Sequence, residues 1–130
     1  MNTISVIIIV KNGEDFIEKA LKSAEWADEI LVLDSGSSDK TIDIAKKYTD
    51  NIHFSEIWPG FGKQRQDAQK LCSSRWIFML DADEEISEEL KNSIKKVIEK
   101  EDSIYMVNRL SKAFGYEVKH SGWYPDWICR

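Results

Sequence analysis

The stretch ISVIIIV, residues 4–10, decides the predicted fold, because it is a run of β-branched side chains interrupted only by Ser5. It lacks the apolar–polar alternation of a half-exposed strand, which is typical of a strand buried on both faces of a parallel sheet. After a turn at Asn12-Gly13, apolar residues recur at the spacing of one helix face: Phe16, Ile17, Ala20, Leu21 and Ala24. A buried strand followed by such a helix predicts an α/β unit.

The alternation of strand and helix continues along the chain. Further strands are predicted at 29–33, 51–55, 76–80 and 103–110. Further helices are predicted after Ser38, which suits an N-cap, at 63–71, and through the apolar positions of 90–98. This order predicts a mostly parallel, Rossmann-like sheet flanked by helices on both faces.

We divide the chain into an α/β domain at 1–110 and the beginning of a second region at 111–130. The segment 120–127 is aromatic and rich in turn residues, and it has no helical period. Such a segment is typical of a surface loop or hairpin. The chain ends at Arg130 without a capping element, so we expect a polypeptide truncated at its C-terminus.

Length and composition exclude several classes of protein. The 130 residues are enough for one core, and 42% hydrophobic with 32% charged residues is wrong for a disordered chain. No apolar run is long enough for a transmembrane segment. No secretory signal is visible, and the two cysteines have no metal-site spacing. We therefore expect a cytoplasmic protein.

The net charge of −5 comes from one segment of the chain. Residues 81–102 hold nine acidic and four basic residues, whereas the remainder of the chain is balanced. A nucleic-acid partner is not expected, because phosphate backbones require a basic face.

Three predicted strands end in polar side chains. In parallel α/β sheets, ligands bind at the carboxyl ends of the strands. The three polar ends are Lys11-Asn12, Asp34-Ser35-Gly36 and Asp81-Ala82-Asp83.

Asp81 and Asp83 emerge directly from a buried strand. In an extended chain, residues two apart point to the same side, and two such carboxylates repel unless a cation lies between them. Mg²⁺ or Mn²⁺ satisfies such oxygen ligands and can hold a diphosphate. Acids that cap the following helix are the alternative, and this spacing alone does not decide between them.

The loop that begins at Asp34 suits close approach of a ligand, with Gly36 providing the tight turn. An ordinary strand-to-helix turn explains the glycine, but it does not explain an acid at the strand end, where a carboxylate can accept a hydrogen bond from a base or ribose. Lys63 and Arg65 lie at a helix start, where cations oppose the helix dipole unless an anion binds there. Two solvated side chains are the equally weighted alternative.

Four segments in this order resemble family 2 glycosyltransferases: residues 5–12, 31–41, 62–68 and 78–83. The chain is similar to the subgroup of lipopolysaccharide core β-1,4-glucosyltransferase-like proteins, through its Lys-Asn strand end and the Trp-Tyr-Pro-Asp segment at 123–126. The resemblance extends over 4–130 and is specific for the family, but not for the sugar.

The resemblance implies a GT-A fold, with a nucleotide-binding α/β half and the start of an acceptor-binding subdomain. It implies an inverting transfer from a nucleotide-diphosphate sugar, a UDP-sugar by preference, to a glycan or lipid-linked acceptor in cell-envelope polysaccharide synthesis. A lipid-linked acceptor would place the protein at the inner membrane face.

The resemblance also assigns roles by matching position. Asp34 would contact uracil, Asp81 would lie by the ribose and the metal, and Asp83 would coordinate Mg²⁺ or Mn²⁺. The full nucleotide-binding set is Val10, Lys11, Asn12, Asp34, Gly36, Lys63, Arg65 and Asp81. The candidate catalytic base is Asp126, since no other carboxylate follows Glu117. A turn acid after Pro125 is the alternative.

Two positions depart from the family pattern, namely Ser35 in place of a second acid and Lys40 in place of a glycine. The first removes a charge near the nucleotide. A donor-binding module without turnover stays open as a second hypothesis, because elements of the acceptor half are missing from these residues. A sugar nucleotidyltransferase is disfavoured, because no glycine-rich phosphate loop follows the first strand.

Overall fold

The computed structural model describes residues 2–113, 116–118 and 126–130. Its centre is a four-stranded parallel sheet with the strand order β3-β2-β1-β4. The four strands are β1 (Ile4–Val10), β2 (Glu29–Asp34), β3 (Ile52–Phe54) and β4 (Trp76–Met79). Four helices connect or follow them: α1 (Ile17–Ser23), α2 (Thr41–Ala45), α3 (Phe61–Gln69) and α4 (Glu88–Val97). None of these helices is long and apolar enough to cross a bilayer.

The remaining strands form two short antiparallel ladders. In the first, β5 (Met106–Asn108) pairs with β8 (Trp127–Cys129). In the second, β6 (Ser111–Ala113) pairs with β7 (Tyr116–Val118). The division of the chain at 110 and 111 stays a prediction, and the loop predicted at 120–127 lies largely outside the described residues.

Strand β1 occupies the middle of the sheet, and all seven of its residues are buried. Ile8 and its neighbours on one face pack into a core cluster with residues of α1 and α4. Ile7 and Ile9 on the other face pack with Ala68 of α3. The expectation of a doubly covered parallel sheet is confirmed.

The strand predicted at 103–110 is wrong in both extent and partner. Only Met106–Asn108 is extended, and it pairs antiparallel with β8 instead of joining the parallel sheet. Ile104 and Met106 stay exposed, so little apolar burial draws this segment into the central sheet.

The predicted N-cap at Ser38 is also wrong. Helix α2 begins at Thr41, and the carboxylate of Asp39 accepts a hydrogen bond from the Thr41 backbone N–H at 2.9 Å. The Ser38 N–H instead donates to the side-chain oxygen of Asn12, in the loop after β1. Ser38 therefore takes part in a contact between two loops, whereas the local sequence predicted it as the N-cap of the helix.

At the amino end of β2, neutral donors surround the carboxylate of Glu29. It accepts hydrogen bonds from the Ser5 hydroxyl, the Asn51 amide at 2.8 Å and the Ser73 backbone N–H at 3.0 Å. Burial opposes its ionised form, but these hydrogen bonds outweigh burial and hold the pKa of Glu29 below its ordinary 4.5.

Replacing Ile8 by Ala should lower the free energy of unfolding by about 2–5 kcal/mol, because it leaves a cavity in the middle of the core. Urea denaturation measures this change. Ile57, which is 75% exposed, provides the matched control. The Ile57→Ala change should alter stability by less than about 0.5 kcal/mol. Equal losses in the two variants would contradict the central position of β1.

The Glu29 hydrogen bonds should make stability depend on pH. Because the pKa of Glu29 is lowered in the folded state, its stabilisation is complete above the unfolded value of 4.5 and is lost as the pH falls through the folded value. The difference in unfolding free energy between the native chain and Glu29→Gln should therefore shrink on acidification below 4.5. The exposed Ser103, changed to Ala, removes no titrating group and should show no such trend.

Candidate functional site

The carboxyl edge of the sheet gathers most of the predicted site residues. The chain adds β2 and β3 on one side of β1 and β4 on the other, and in open α/β sheets ligands bind in the crevice where the strand order reverses in this way. In the pairing of β1 with β2, Val10 lies opposite Asp34, so the loops after these strands leave the sheet side by side.

Hydrogen bonds join the loop after β1 to the loop after β2. The Asn12 backbone N–H donates to the Ser37 hydroxyl oxygen, and the Asn12 side-chain oxygen accepts from the Ser38 N–H, both at 2.8 Å. The Gly13 N–H donates to the Thr41 hydroxyl oxygen at 2.8 Å. Asn12 adopts a left-handed conformation with φ 52°, which asparagine tolerates better than most residues. Asn12 therefore holds the two loops together.

Asp34 shapes the loop that follows it. Its side chain is buried, and one carboxylate oxygen accepts from the backbone N–H groups of Gly36 and Ser37, each at 2.9 Å. The other oxygen accepts from the Ser37 hydroxyl. Gly36 has φ +94°, a conformation that L side chains rarely adopt. The acid at the strand end thus has a structural role in this turn, and its contact with uracil stays a prediction.

Ser35, which stands where the family pattern has an acid, makes a neutral hydrogen bond. Its hydroxyl oxygen accepts from the side-chain N–H of Gln64 at 3.0 Å, and Gln64 is fully buried in α3. This buried pair ties α3 to the end of β2. Because the Ser35 hydroxyl is neutral, this pair places no charge at position 35 beside the buried Gln64 side chain, as an acid there would.

The two cations of α3 have different environments. Lys63 is exposed and pairs with Asp67 one turn along its own helix, at 2.6 Å. The hydrogen bond and the charge of Asp67 raise the pKa of Lys63. Arg65 instead donates to a carboxylate oxygen of Asp81 at 2.6 Å, and its guanidinium lies 5.9 Å from the centre of the Phe61 ring. The structure brings Arg65, but not Lys63, to Asp81, one of the two predicted metal residues.

Asp81 and Asp83 lie in a turn, which corrects the expectation of an extended chain. Strand β4 ends at Met79, and the Glu84 N–H donates to the Asp81 carbonyl at 2.9 Å. The Glu84 carboxylate in return accepts from the Asp81 N–H at 3.1 Å. Asp83 is exposed and has no hydrogen bond or ion pair with any residue that the structure describes. The two carboxylates therefore have unlike environments.

Two arginines hold both oxygens of the Asp81 carboxylate. Arg65 contacts Oδ1, and Arg130 donates to Oδ1 at 3.2 Å and to Oδ2 at 2.8 Å. Burial of Asp81 opposes its ionised form, but the hydrogen bonds and charges of Arg130 and Arg65 outweigh burial and lower its pKa. Asp81 is held as a carboxylate.

A chain of ion pairs links Asp81 to the candidate base. Arg130 contacts Glu84 at 2.6 Å, Arg109 contacts Glu84 at 3.4 Å, and Arg109 contacts Asp126 at 2.7 Å. The Asp126 backbone is fixed as well, because its N–H donates to the Asn108 side chain and its carbonyl accepts from the Arg109 N–H. The structure thus connects Asp126 to the acids after β4.

Sequence reasoning missed Arg109, Arg130 and Glu84. Arg109 had a usable signal, since it is a polar residue near the end of a predicted strand. Glu84 is one of several acids in a row, and nothing in the spacing distinguishes it. Arg130 is 49 positions from Asp81, so only the chain path brings the two together.

An apolar cavity of about 380 Å³ opens beside the end of β1. Its lining residues are Ile9, Val10, Lys11, Trp58 and Phe61. The Trp58 and Phe61 rings meet edge to face with their centres 4.9 Å apart. A larger hollow of about 710 Å³ lies at the amino ends of the strands, but its wall carries Glu25, Asp28, Glu29 and Asp50, which would repel a nucleotide.

The acids after β4 suit a divalent cation that a ligand completes. In the described part of the chain, no three histidine, cysteine or acidic side chains form a metal centre. Asp81 is held as a carboxylate by two arginines, and Asp83 has no partner among the described residues, so the two acids are hard oxygen donors without a full set of metal ligands. Mg²⁺ and Mn²⁺ are commonly bound in this way, by one or two carboxylates together with substrate phosphates.

Replacing Ser35 by Ala should destabilise the chain by about 1–3 kcal/mol, because it leaves a buried N–H of Gln64 without an acceptor. Thermal or urea unfolding measures the loss. The exposed Ser103, replaced by Ala, should unfold like the native chain. Native stability of the Ser35→Ala variant would show that the buried pair does not hold α3 against the sheet.

Comparison with known proteins identifies the family. The sequence model described as Glycosyl transferase family 2 matches residues 5–125. The lipopolysaccharide core biosynthesis glycosyltransferase LpsC of Rhizobium meliloti is 34% identical over 119 residues, which are 87% of this chain and 44% of LpsC. An uncharacterized glycosyltransferase of Rickettsia bellii is 40% identical over 95 residues, 72% of this chain and 32% of that protein. The chain thus spans less than half the length of either relative.

Solved structures agree with these relatives. S. aureus TarS 1–349 in complex with UDP-GlcNAc matches with a TM-score of 0.63 and 29% identity, over 75% of this chain and 31% of that one. Glucosyl-3-phosphoglycerate synthase from Mycobacterium tuberculosis, in complex with Mn²⁺, UDP and glucosyl-3-phosphoglycerate, matches with a TM-score of 0.55 and 27% identity, over 62% of this chain and 33% of that one. The chain has the GT-A fold and belongs to glycosyl transferase family 2.

Proposed function

We propose that this chain carries the donor site of an inverting glycosyltransferase, which moves a sugar from a UDP-sugar to a glycan or lipid-linked acceptor of the cell envelope. The observation that carries the proposal is the placement of Asp81 and Arg65 together at the sheet edge, where Arg65 lies over the Phe61 ring that lines the cavity at the end of β1. The UDP-GlcNAc complex of TarS supports the donor class, and the name of LpsC supports the envelope acceptor.

The nucleoside lies in the cavity beside β1 in this proposal. Val10 and Lys11 line that cavity, and its apolar wall suits the faces of a base. Asp34 and Gly36 shape the adjoining loop, where the missing Gly36 side chain lets the nucleotide approach the backbone. The Asn12 side chain fixes this loop by accepting a hydrogen bond from the Ser38 N–H. Lys63 supplies a further exposed cation on α3.

In this proposal Asp81 and Asp83 would hold Mg²⁺ or Mn²⁺. When bound, the ion would supply Lewis-acid stabilisation of the charge on the departing UDP. Arg65 adds a fixed positive charge beside Asp81, which favours the diphosphate at the same place. The Mn²⁺ and UDP of glucosyl-3-phosphoglycerate synthase support this choice of metal.

Asp126 acts as the catalytic base in this proposal. Arg109 holds one of its carboxylate oxygens at 2.7–2.8 Å, and the other has no partner among the described residues. That free oxygen takes the proton from the acceptor hydroxyl. The acceptor oxygen then forms a bond to the anomeric carbon as the bond to the diphosphate breaks, and this single displacement inverts the anomeric centre.

We place the reaction in the cytoplasm, at the inner membrane face when the acceptor is lipid-linked. Neither cysteine forms a disulfide, which suits a reducing compartment. The second candidate function is a donor-binding module without turnover. Incubation with UDP-sugars and envelope glycans distinguishes the two, because a glycosylated product excludes the inert module.

Calorimetric titration of UDP tests the donor site. The native chain should bind UDP in Mn²⁺ and lose most of that affinity in EDTA. Asp83→Asn should weaken binding in Mn²⁺ by about tenfold or more, because it removes an open carboxylate ligand. Glu85→Gln, an exposed acid two residues along, should bind like the native chain. Unchanged affinity in Asp83→Asn would overturn the metal assignment, and no UDP binding by the native chain would overturn the donor site.

A further inference from the structure

Arg130 is the most buried charged group in the ion-pair chain around Asp81. Its side chain is only 6% exposed, and its guanidinium bridges Asp81 and Glu84. Removing a guanidinium from water is costly unless its hydrogen bonds are made, and here three contacts to two carboxylates make them. The fold therefore holds this guanidinium in one position by specific hydrogen bonds.

The contact blocks the position that a cation at Asp81 needs. Arg65 and Arg130 together engage both carboxylate oxygens of Asp81. A divalent ion and a guanidinium compete for the same lone pairs, and two positive groups at that distance repel. These three hydrogen bonds take two acceptor sites on Oδ1 and one on Oδ2, so a cation can bind both oxygens of Asp81 only when one arginine withdraws.

Arg130 has a second anchor that keeps it near the site after withdrawal. Its Nη2 donates to Glu84 at 2.6 Å, and the Glu84 carboxylate accepts from the Asp81 backbone N–H at 3.1 Å. Among the described residues Nη1 donates only to Asp81, so release from Asp81 would leave that nitrogen with N–H donors for a new partner. Guanidinium N–H pairs are well suited to phosphate oxygens.

We propose that Arg130 is a donor-binding residue, which competes with the divalent cation for Asp81 in the free chain and binds the donor diphosphate once it is released from Asp81. The inference rests on the proposed function and adds a residue to it. Cation and nucleotide then favour each other's binding, because the displaced guanidinium gains the diphosphate as its new partner.

Two titrations with opposite expected signs test the proposal. Without nucleotide, Arg130→Gln should bind Mn²⁺ about threefold or more tighter than the native chain, because the competitor is gone; the electron spin resonance signal of free Mn²⁺ measures this. With saturating Mn²⁺, the same variant should bind UDP about tenfold more weakly, because a diphosphate contact is lost.

Arg109→Gln is the matched control, since it removes the same charge from Glu84 without touching Asp81. Its gain in Mn²⁺ affinity should be clearly smaller than that of Arg130→Gln. Equal gains would mean that local charge and not competition for Asp81 governs the cation, which overturns the proposal. If Arg130→Gln does not fold, Arg130→Lys takes its place in the test. The lysine keeps a positive charge near Glu84, and this variant should still bind Mn²⁺ more tightly than the native chain.

The outcomes separate this proposal from the proposed function. A native chain that binds no UDP with or without Mn²⁺ overturns both. If the native chain binds UDP but the Arg130 variants change the Mn²⁺ and UDP affinities in the same direction, or change neither, only the role of Arg130 is overturned. Tighter Mn²⁺ together with weaker UDP supports it.

Discussion

Burial of β1 on both faces is the constraint on which the rest of the structure depends. A strand with seven buried residues must have a neighbour on each side and a helical layer on each face. Strands β2 and β4 supply the neighbours, and the two core clusters fill the faces. The parallel pairing then brings the carboxyl ends of all three strands to one edge, so the polar loops after them meet there.

The loops at that edge are ordered by their own polar groups. Asp34 satisfies backbone N–H groups of its turn, Asn12 joins two loops, and Ser35 pairs with the buried Gln64. Each is a polar group in a poorly hydrated place, where an unmade hydrogen bond is costly. Asp34 and Asn12, which the family resemblance predicts to bind the nucleotide, thus also form the frame that a ligand would meet.

The charges at the edge form a connected set and not a pair of isolated acids. Arg65, Asp81, Arg130, Glu84 and Arg109 alternate in sign and lead to Asp126. In such a set, moving one partner changes what the next can bind, because each carboxylate has few free lone pairs. Metal, diphosphate and base are therefore coupled in the function proposed for this chain.

The sequence alone determined the parallel α/β core and the polar strand ends, because burial on both faces leaves a run of β-branched residues and helices leave a repeat of 3.6. It misplaced the N-cap of α2 and the partner of the segment 103–110, since local propensity does not record contacts such as that of Ser38 with Asn12. Only the tertiary structure decided that Arg130 lies on Asp81, because residues far apart in sequence meet only when the chain path is complete.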